Sequence, residues 1–325
     1  MAHRLVAAYR APNWLPGGHL QTIYSYFRAR RIPVPRFSRR RWETPDGDFI
    51  DVDRLPGTAG APLIALFHGL EGNSASHYVR LLAEPVAKAG WELAVAHFRG
   101  CSGEPNRLAR AYHSGDSAEV GWILRQFAAE ADGSPLATIG VSLGGNALLK
   151  FLGEAGSEAQ RLVRCAVAVS APVDLTASGN ALCRGMNRLY GRAFLATLKT
   201  KGIDKAARFP DLINAERVRA ARTLREFDDA VTAPLHGFRD TDDYWQRSSS
   251  KPWLPHVRVP TLMINARNDP FLPHEALPGA QEVAGCIERE FTEAGGHVGF
   301  VEGAFPGNFR WFRERIMSFV QRHLA

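Results

Sequence analysis

The residues with the strongest chemical signature are Gly140-Val141-Ser142-Leu143-Gly144. They close the apolar run Leu136-Ala137-Thr138-Ile139 and open the helix-forming run Asn146-Ala147-Leu148-Leu149-Lys150. A serine between a strand and a helix in a GxSxG pattern is a nucleophile elbow, a strained turn that lifts the hydroxyl clear of the backbone. The residues two before and two after must be small, and Gly140 and Gly144 meet that need. The amides that open the following helix point at the same place, where they favour a developing oxyanion.

A serine hydroxyl is a poor nucleophile at neutral pH. It needs a base within hydrogen-bond reach and a carboxylate that holds the base's tautomer. Elbows of this type run serine, acid, histidine along the chain. His297 lies in the glycine-rich stretch Glu293-Ala294-Gly295-Gly296-His297-Val298-Gly299-Phe300 and is the expected base; only His323 lies further on, in an expected terminal helix. Asp269 follows the apolar run Thr261 to Ala266 and is the expected acid, because catalysts gather beyond the carboxyl ends of strands in open α/β sheets. Asp174, after the preceding strand, is the reserve acid. The oxyanion donors are expected to be the amides of Leu143 and of Leu70, the latter in His68-Gly69-Leu70-Glu71-Gly72. His68 is read as a structural hydrogen bonder, Phe98–Glu104 as a loop over the site, and Cys101 as a buried or loop thiol.

The elements that must position these groups alternate. Apolar strands are expected at Pro62 to Phe67, Glu92 to His97, Leu136 to Val141, Cys165 to Ser170, Thr261 to Ala266 and Glu288 to Thr292, with helices at Tyr78 to Ala89, Ala118 to Ala131 and after Ser142. Continuously apolar strands separated by helices predict a mostly parallel central sheet with helices on both faces. A hairpin at Arg41–Thr44 and Phe49–Asp53, turning at Pro45-Asp46-Gly47-Asp48, is expected at the sheet edge. Residues 1–40 carry Pro12, Pro16, Pro33 and Pro35 and read as an arm wrapping the core, with one short helix from His19 to Ala29. The expected partition is the arm at 1–40, a first core part at 41–174, an inserted helical cap at 175–255 and a second core part at 256–325. Leu182, Met186, Leu189, Tyr190, Phe194 and Leu198 recur at helical intervals in the cap. They either line an acyl pocket or pack on the core.

With 325 residues, 45% hydrophobic and 22% charged, the chain buries a large core and is not disordered. Cys101, Cys165, Cys183 and Cys286 have no CxxC spacing, which speaks against a disulfide framework or zinc site and suits a reducing cytoplasm. The apolar run at the N-terminus is too short for a signal peptide and no later run has the length of a membrane span, so a soluble protein is expected. The net charge of +7 equals the seven arginines Arg28, Arg30, Arg31, Arg36, Arg39, Arg40 and Arg41, a segment without acidic residues. Such a run could meet anionic lipid, nucleic acid or an acidic ligand, or pair with carboxylates of its own chain.

Several words occur together: Gly17-Gly18-His19-Leu20-Gln21-Thr22, His68-Gly69-Leu70-Glu71-Gly72, His97-Phe98-Arg99-Gly100-Cys101-Ser102-Gly103-Glu104-Pro105-Asn106, Tyr112-His113-Ser114-Gly115-Asp116, Ser142-Leu143-Gly144-Gly145-Asn146, Arg225-Glu226-Phe227-Asp228-Asp229 and Gly295-Gly296-His297-Val298-Gly299-Phe300. In this order, from about residue 12 to the C-terminus, they resemble the YheT-like α/β hydrolases of the type-four group, whose eukaryotic relatives include ester synthases and membrane-anchored lipid hydrolases. The resemblance implies the α/β-hydrolase fold and charge-relay roles for Ser142, Asp269 and His297.

The expectation is a serine carboxylesterase acting on short- to medium-chain esters, acylglycerols included, through an acyl-serine. It needs no cofactor or metal. Its partner is a small-molecule ester, with no nucleic acid and no integral membrane association, and peripheral contact with anionic lipid is allowed. Two alternatives stay open: acyl transfer by the same triad, and a protein that binds anionic surfaces or nucleic acid through its arginine arm.

Overall fold

The structure, a computed structural model, describes residues 6–324; the opening stretch read for a leader falls partly on residues 1–5, outside the described residues. Eight strands form one sheet: β1 (Ser38–Glu43), β2 (Phe49–Leu55), β3 (Leu63–Phe67), β4 (Glu92–Ala96), β5 (Leu136–Val141), β6 (Cys165–Val169), β7 (Thr261–Ala266) and β8 (Ile287–Thr292). Their order is β1-β2-β4-β3-β5-β6-β7-β8. The β1–β2 and β2–β4 pairs are antiparallel and the rest parallel. Strands β3, β5, β6 and β7 are buried along their whole length, as a sheet covered on both faces requires.

Alternate residues of each strand feed two separate cores. Leu63, Ala65 and Phe67 face a cluster supplied by helices α3 (Ser117–Glu130) and α4 (Leu143–Ala155). Ile64 and Leu66 face the opposite cluster, supplied by α2 (His77–Lys88) and α12 (Arg310–Leu324). Helix α1 (Gly18–Ala29) packs beside α2 on that second side, and α5 (Ser157–Leu162) follows α4. Between β6 and β7 the chain forms α6 (Leu175–Leu182), α7 (Arg188–Arg208), α8 (Ala215–Ala220), α9 (Leu224–Phe227), α10 (Ala233–His236) and α11 (Thr241–Ser248), with a π-helical turn at Asp228–Thr232. These helices hold an apolar cluster of their own, built around Leu195, Val218, Phe227 and Val231.

The edge strand β1 begins at Ser38, three residues earlier than the residue pattern indicates. Its charged spelling conceals it, because the arginines are neutralised across the hairpin. Arg39 lies in register with Asp53 and Arg41 with Asp51. Arg39 donates to both Asp53 oxygens at 2.7 and 2.9 Å, and Arg41 to both Asp51 oxygens at 2.8 and 2.9 Å. Part of the basic run is therefore paired within its own chain. Among the described residues no helix is long and apolar enough to cross a membrane.

Candidate active site

Ser142 sits between β5 and α4 with φ 53° and ψ −121°, a backbone conformation few non-glycine residues adopt. The turn is tight enough to demand glycine on both sides. A Cβ on Gly140 would lie 2.6 Å from the Gly144 carbonyl oxygen, and one on Gly144 would lie 2.5 Å from the carbonyl oxygens of both Phe67 and His68.

Ser142, His297 and Asp269 converge although they lie on three separate connections. His297 Nε2 is 3.0 Å from Ser142 Oγ, and His297 Nδ1 is 2.8 Å from Asp269 Oδ2. Asp269 is buried, and its other oxygen accepts from the amide of Phe271 at 2.8 Å, which fixes the carboxylate. The Phe271 ring stacks on the imidazole with centroids 4.1 Å apart. This arrangement can deprotonate a serine hydroxyl and hold the resulting imidazolium against a carboxylate.

The loop that carries His297 is held by α1, a contribution that residue pattern does not reveal. Thr22 Oγ1 accepts from the His297 amide at 2.8 Å. Gln21 Oε1 accepts from the Gly295 amide at 2.8 Å and from Asn268 Nδ2 at 2.9 Å. Asn268 Oδ1 accepts from the Gly296 amide at 3.0 Å, joining the acid loop to the histidine loop. The only trace in the sequence is the word Gly17-Gly18-His19-Leu20-Gln21-Thr22, whose position says nothing about what it touches.

The Leu70 amide has no acceptor among the described residues, and Leu143 opens α4, so its amide has no intrahelical acceptor. Around Leu70 the loop is pinned on each side. The Gly69 amide donates to Tyr78 Oη at 2.8 Å, and the Glu71 amide to Tyr112 Oη at 3.0 Å. Glu71, at φ 55°, accepts from Tyr112 Oη at 2.7 Å and from Lys201 Nζ of α7 at 2.8 Å. His68 is fully buried, and burial pushes its pKa down to about 3. Its Nε2 accepts from the Phe98 amide at 3.0 Å, so Nδ1–H donates to the Gly69 carbonyl at 2.8 Å. A neutral, doubly bonded imidazole is a brace for the loop.

Other residues singled out by type lie elsewhere. Asp174 caps α6, accepting from the Ala177 amide at 2.9 Å. The stretch Phe98–Glu104 does not line the cavities beside Ser142; Arg99 instead turns into a buried ion network with Asp46, Asp48 and Glu119. Cys101 is buried, and burial raises its thiol to about 12.

Two cavities meet at Ser142, His297, Leu70, Phe194 and Phe271. The first, about 140 Å³, lies under the cap helices and is walled by Leu143, Leu175, Leu182, Leu198, Phe227 and Trp245. Asp228 reaches it from the π-helical turn, accepting from Thr232 Oγ1 at 2.6 Å and Trp245 Nε1 at 3.0 Å; burial raises its carboxyl to about 6. The second is a wide groove of about 630 Å³ between α1 and α7, lined by Ile23, Tyr26, Phe27, Tyr190 and Val298. The apolar residues of α7 therefore divide: Phe194 and Leu198 wall cavities, whereas Leu189 is exposed, as is Met186 just before the helix.

Comparison with known proteins follows from this geometry. The chain is 39% identical over 311 residues to the YheT protein of Escherichia coli (strain K12), named as a candidate esterase, covering 94% of this chain and 91% of that one. It is 29% identical over 311 residues to the phospholipase ABHD3 of Mus musculus, covering 93% of this chain and 75% of the relative. An esterase of Pyrococcus furiosus shares the fold with a TM-score of 0.56 at 19% identity, covering 98% of this chain and 97% of that chain. A family profile described as the alpha/beta hydrolase fold matches residues 62–304. With its sheet order, its elbow and these relatives, the chain belongs to the α/β hydrolase family, in the company of YheT, and is a carboxylic ester hydrolase of the esterase and lipase type.

Proposed function

We propose that this chain is a serine carboxylesterase that cleaves short- to medium-chain esters through an acyl-serine at Ser142. One observation carries the reading: the unbroken hydrogen-bond chain from Ser142 Oγ through His297 to Asp269, at 3.0 and 2.8 Å. His297 Nε2 takes the serine proton as Oγ attacks the ester carbonyl, and the carbonyl oxygen becomes an oxyanion that accepts from the amides of Leu70 and Leu143. The imidazolium then gives its proton to the leaving alcohol. In deacylation the same nitrogen takes a proton from water, and collapse of the second tetrahedral intermediate releases the acid and restores Ser142.

The two cavities divide the substrate. His297 borders both spaces, whereas the oxyanion donor Leu143 walls only the cavity under the cap; in this reading the acyl group enters that apolar cavity and the alcohol leaves by the groove beside Val298. The cavity under the cap, about 140 Å³, opens into the groove at Ser142, and its apolar walls suit short to medium acyl chains. In this reading residues 175–255 act as a cap over the core of 41–174 and 256–325, and the arm at 1–40 braces the catalytic loops.

Fluorophosphonate labelling and an aryl-ester chain-length series test the proposal. Wild-type protein labels at Ser142 and shows an optimum among short to medium chains, while Ser142→Ala keeps its fold and loses both. Folded wild-type protein that neither labels nor cleaves any member of the series refutes it.

A further inference from the structure

Helix α1 is amphipathic in the wrong sense for a helix at a protein surface. Its buried residues include Gln21, Thr22 and Ser25, whereas Leu20, Ile23, Tyr26 and Phe27 are 53%, 41%, 42% and 62% exposed. Surface helices ordinarily turn apolar residues inward and polar ones to water. The inward polar residues are accounted for, because Gln21 and Thr22 hold the loops of Asp269 and His297. The outward apolar residues have no such account. Leu20, Ile23 and Phe27 recur at i, i+3 and i+7, so they form one stripe.

The stripe continues onto the cap. His19 of α1 stacks on Tyr190 of α7, with ring centroids 5.8 Å apart and planes within 7°. Beside that contact Met186 and Leu189 are 57% and 62% exposed. Ile23, Tyr26 and Phe27 also line the wide groove that leads to Ser142, so the apolar surface surrounds the mouth of the site.

Its rim is cationic. Arg30 lines the groove, and Arg184, Arg188 and Arg192 flank Met186 and Leu189 at the cap; all four are exposed and have no acidic partner among the described residues. Residues 28–41 and 175–203 contain no Asp or Glu. An apolar centre within a rim of unpaired arginines matches an anionic lipid interface, where the side chains enter the acyl boundary and the guanidinium groups meet headgroup phosphates. A nucleic acid would satisfy the arginines and leave the large apolar residues in water.

We propose that the outer face of α1 together with the exposed tip of the cap docks on an anionic lipid surface, so that esters pass from the bilayer interface into the groove. This extends the esterase reading, but docking is measured by binding alone and stands or falls separately from turnover. The full chain is sedimented with phosphatidylglycerol–phosphatidylcholine vesicles and with phosphatidylcholine vesicles. Leu20→Glu and Leu189→Glu are compared with wild type, since neither residue lines a cavity. The expected result is binding to the anionic vesicles, weakened by raised salt and reduced about tenfold or more by either variant. Both variants should keep wild-type turnover of a water-soluble ester and lose turnover of a vesicle-borne one. Equal affinity for both vesicle types, no binding to either, or variants that bind as wild type does would overturn the proposal, as would tighter binding to duplex RNA that the variants leave intact.

Discussion

Thr22 and His297 stand 275 residues apart, and the threonine hydroxyl oxygen accepts the histidine amide proton at 2.8 Å. That bond ties the loop of the candidate base to a helix from the opening arm. Thr22→Val keeps the shape and removes the acceptor, so kcat should fall about tenfold or more, because small displacements of a catalytic group are costly. KM should change little, stability should drop by about 1 kcal/mol, and Thr22→Ser should restore the rate. An unchanged kcat in the valine variant would show that the loop holds its geometry without α1.

The two aspartates weighed as acids have separable fates. Asp269→Asn should lower kcat by about 10⁴-fold with the fold intact, since the wrong imidazole tautomer is then favoured. Asp174→Asn or Asp174→Ala touches a helix cap. Its effect should be about 1 kcal/mol or less of stability and no large change in rate. Steady-state kinetics alongside urea unfolding distinguishes the two.

Gly144→Ala places a methyl 2.5 Å from two backbone carbonyl oxygens that cannot move independently of β3. We expect a loss of about 1–3 kcal/mol, seen as a lower thermal midpoint, together with reduced labelling of Ser142. A variant as stable as wild type would mean that the elbow relaxes more easily than its contacts indicate.

His68 should stay neutral in the folded protein well into the acid range. Its pKa is held down to about 3 by burial, whereas an unfolded histidine titrates near 6.5. Below about pH 6.5 the unfolded state therefore binds the extra proton. Through this group stability is unaffected at neutral pH and falls progressively as pH drops from about 6.5 toward 3. Nitrogen NMR should report the Nδ1–H tautomer at pH 5, and an imidazolium signature there would contradict the brace.

Strand and helix alternation, the elbow at Ser142 and the serine, acid, histidine order are all legible in the sequence, because they rest on local periodicity and on turn chemistry confined to a few neighbouring residues. The strands β5 and β7 have the same limits in the sequence reading and in the structure. The edge strand β1 is less legible, since Ser38, Arg39 and Arg40 read as an arm until Asp53 appears opposite Arg39.

What only the tertiary structure decided are the relationships between distant segments. It separated Asp269, which touches His297, from Asp174, which caps α6. It placed Gln21 and Thr22 under the catalytic loops and Lys201 of the cap on Glu71 beside Leu70. It also turned the apolar stripe of α1 outward, opposite to what its composition alone would suggest. The physical reason is that a residue's type fixes which hydrogen bonds it can make, while the register of the sheet and the packing of its helices fix which partner it meets.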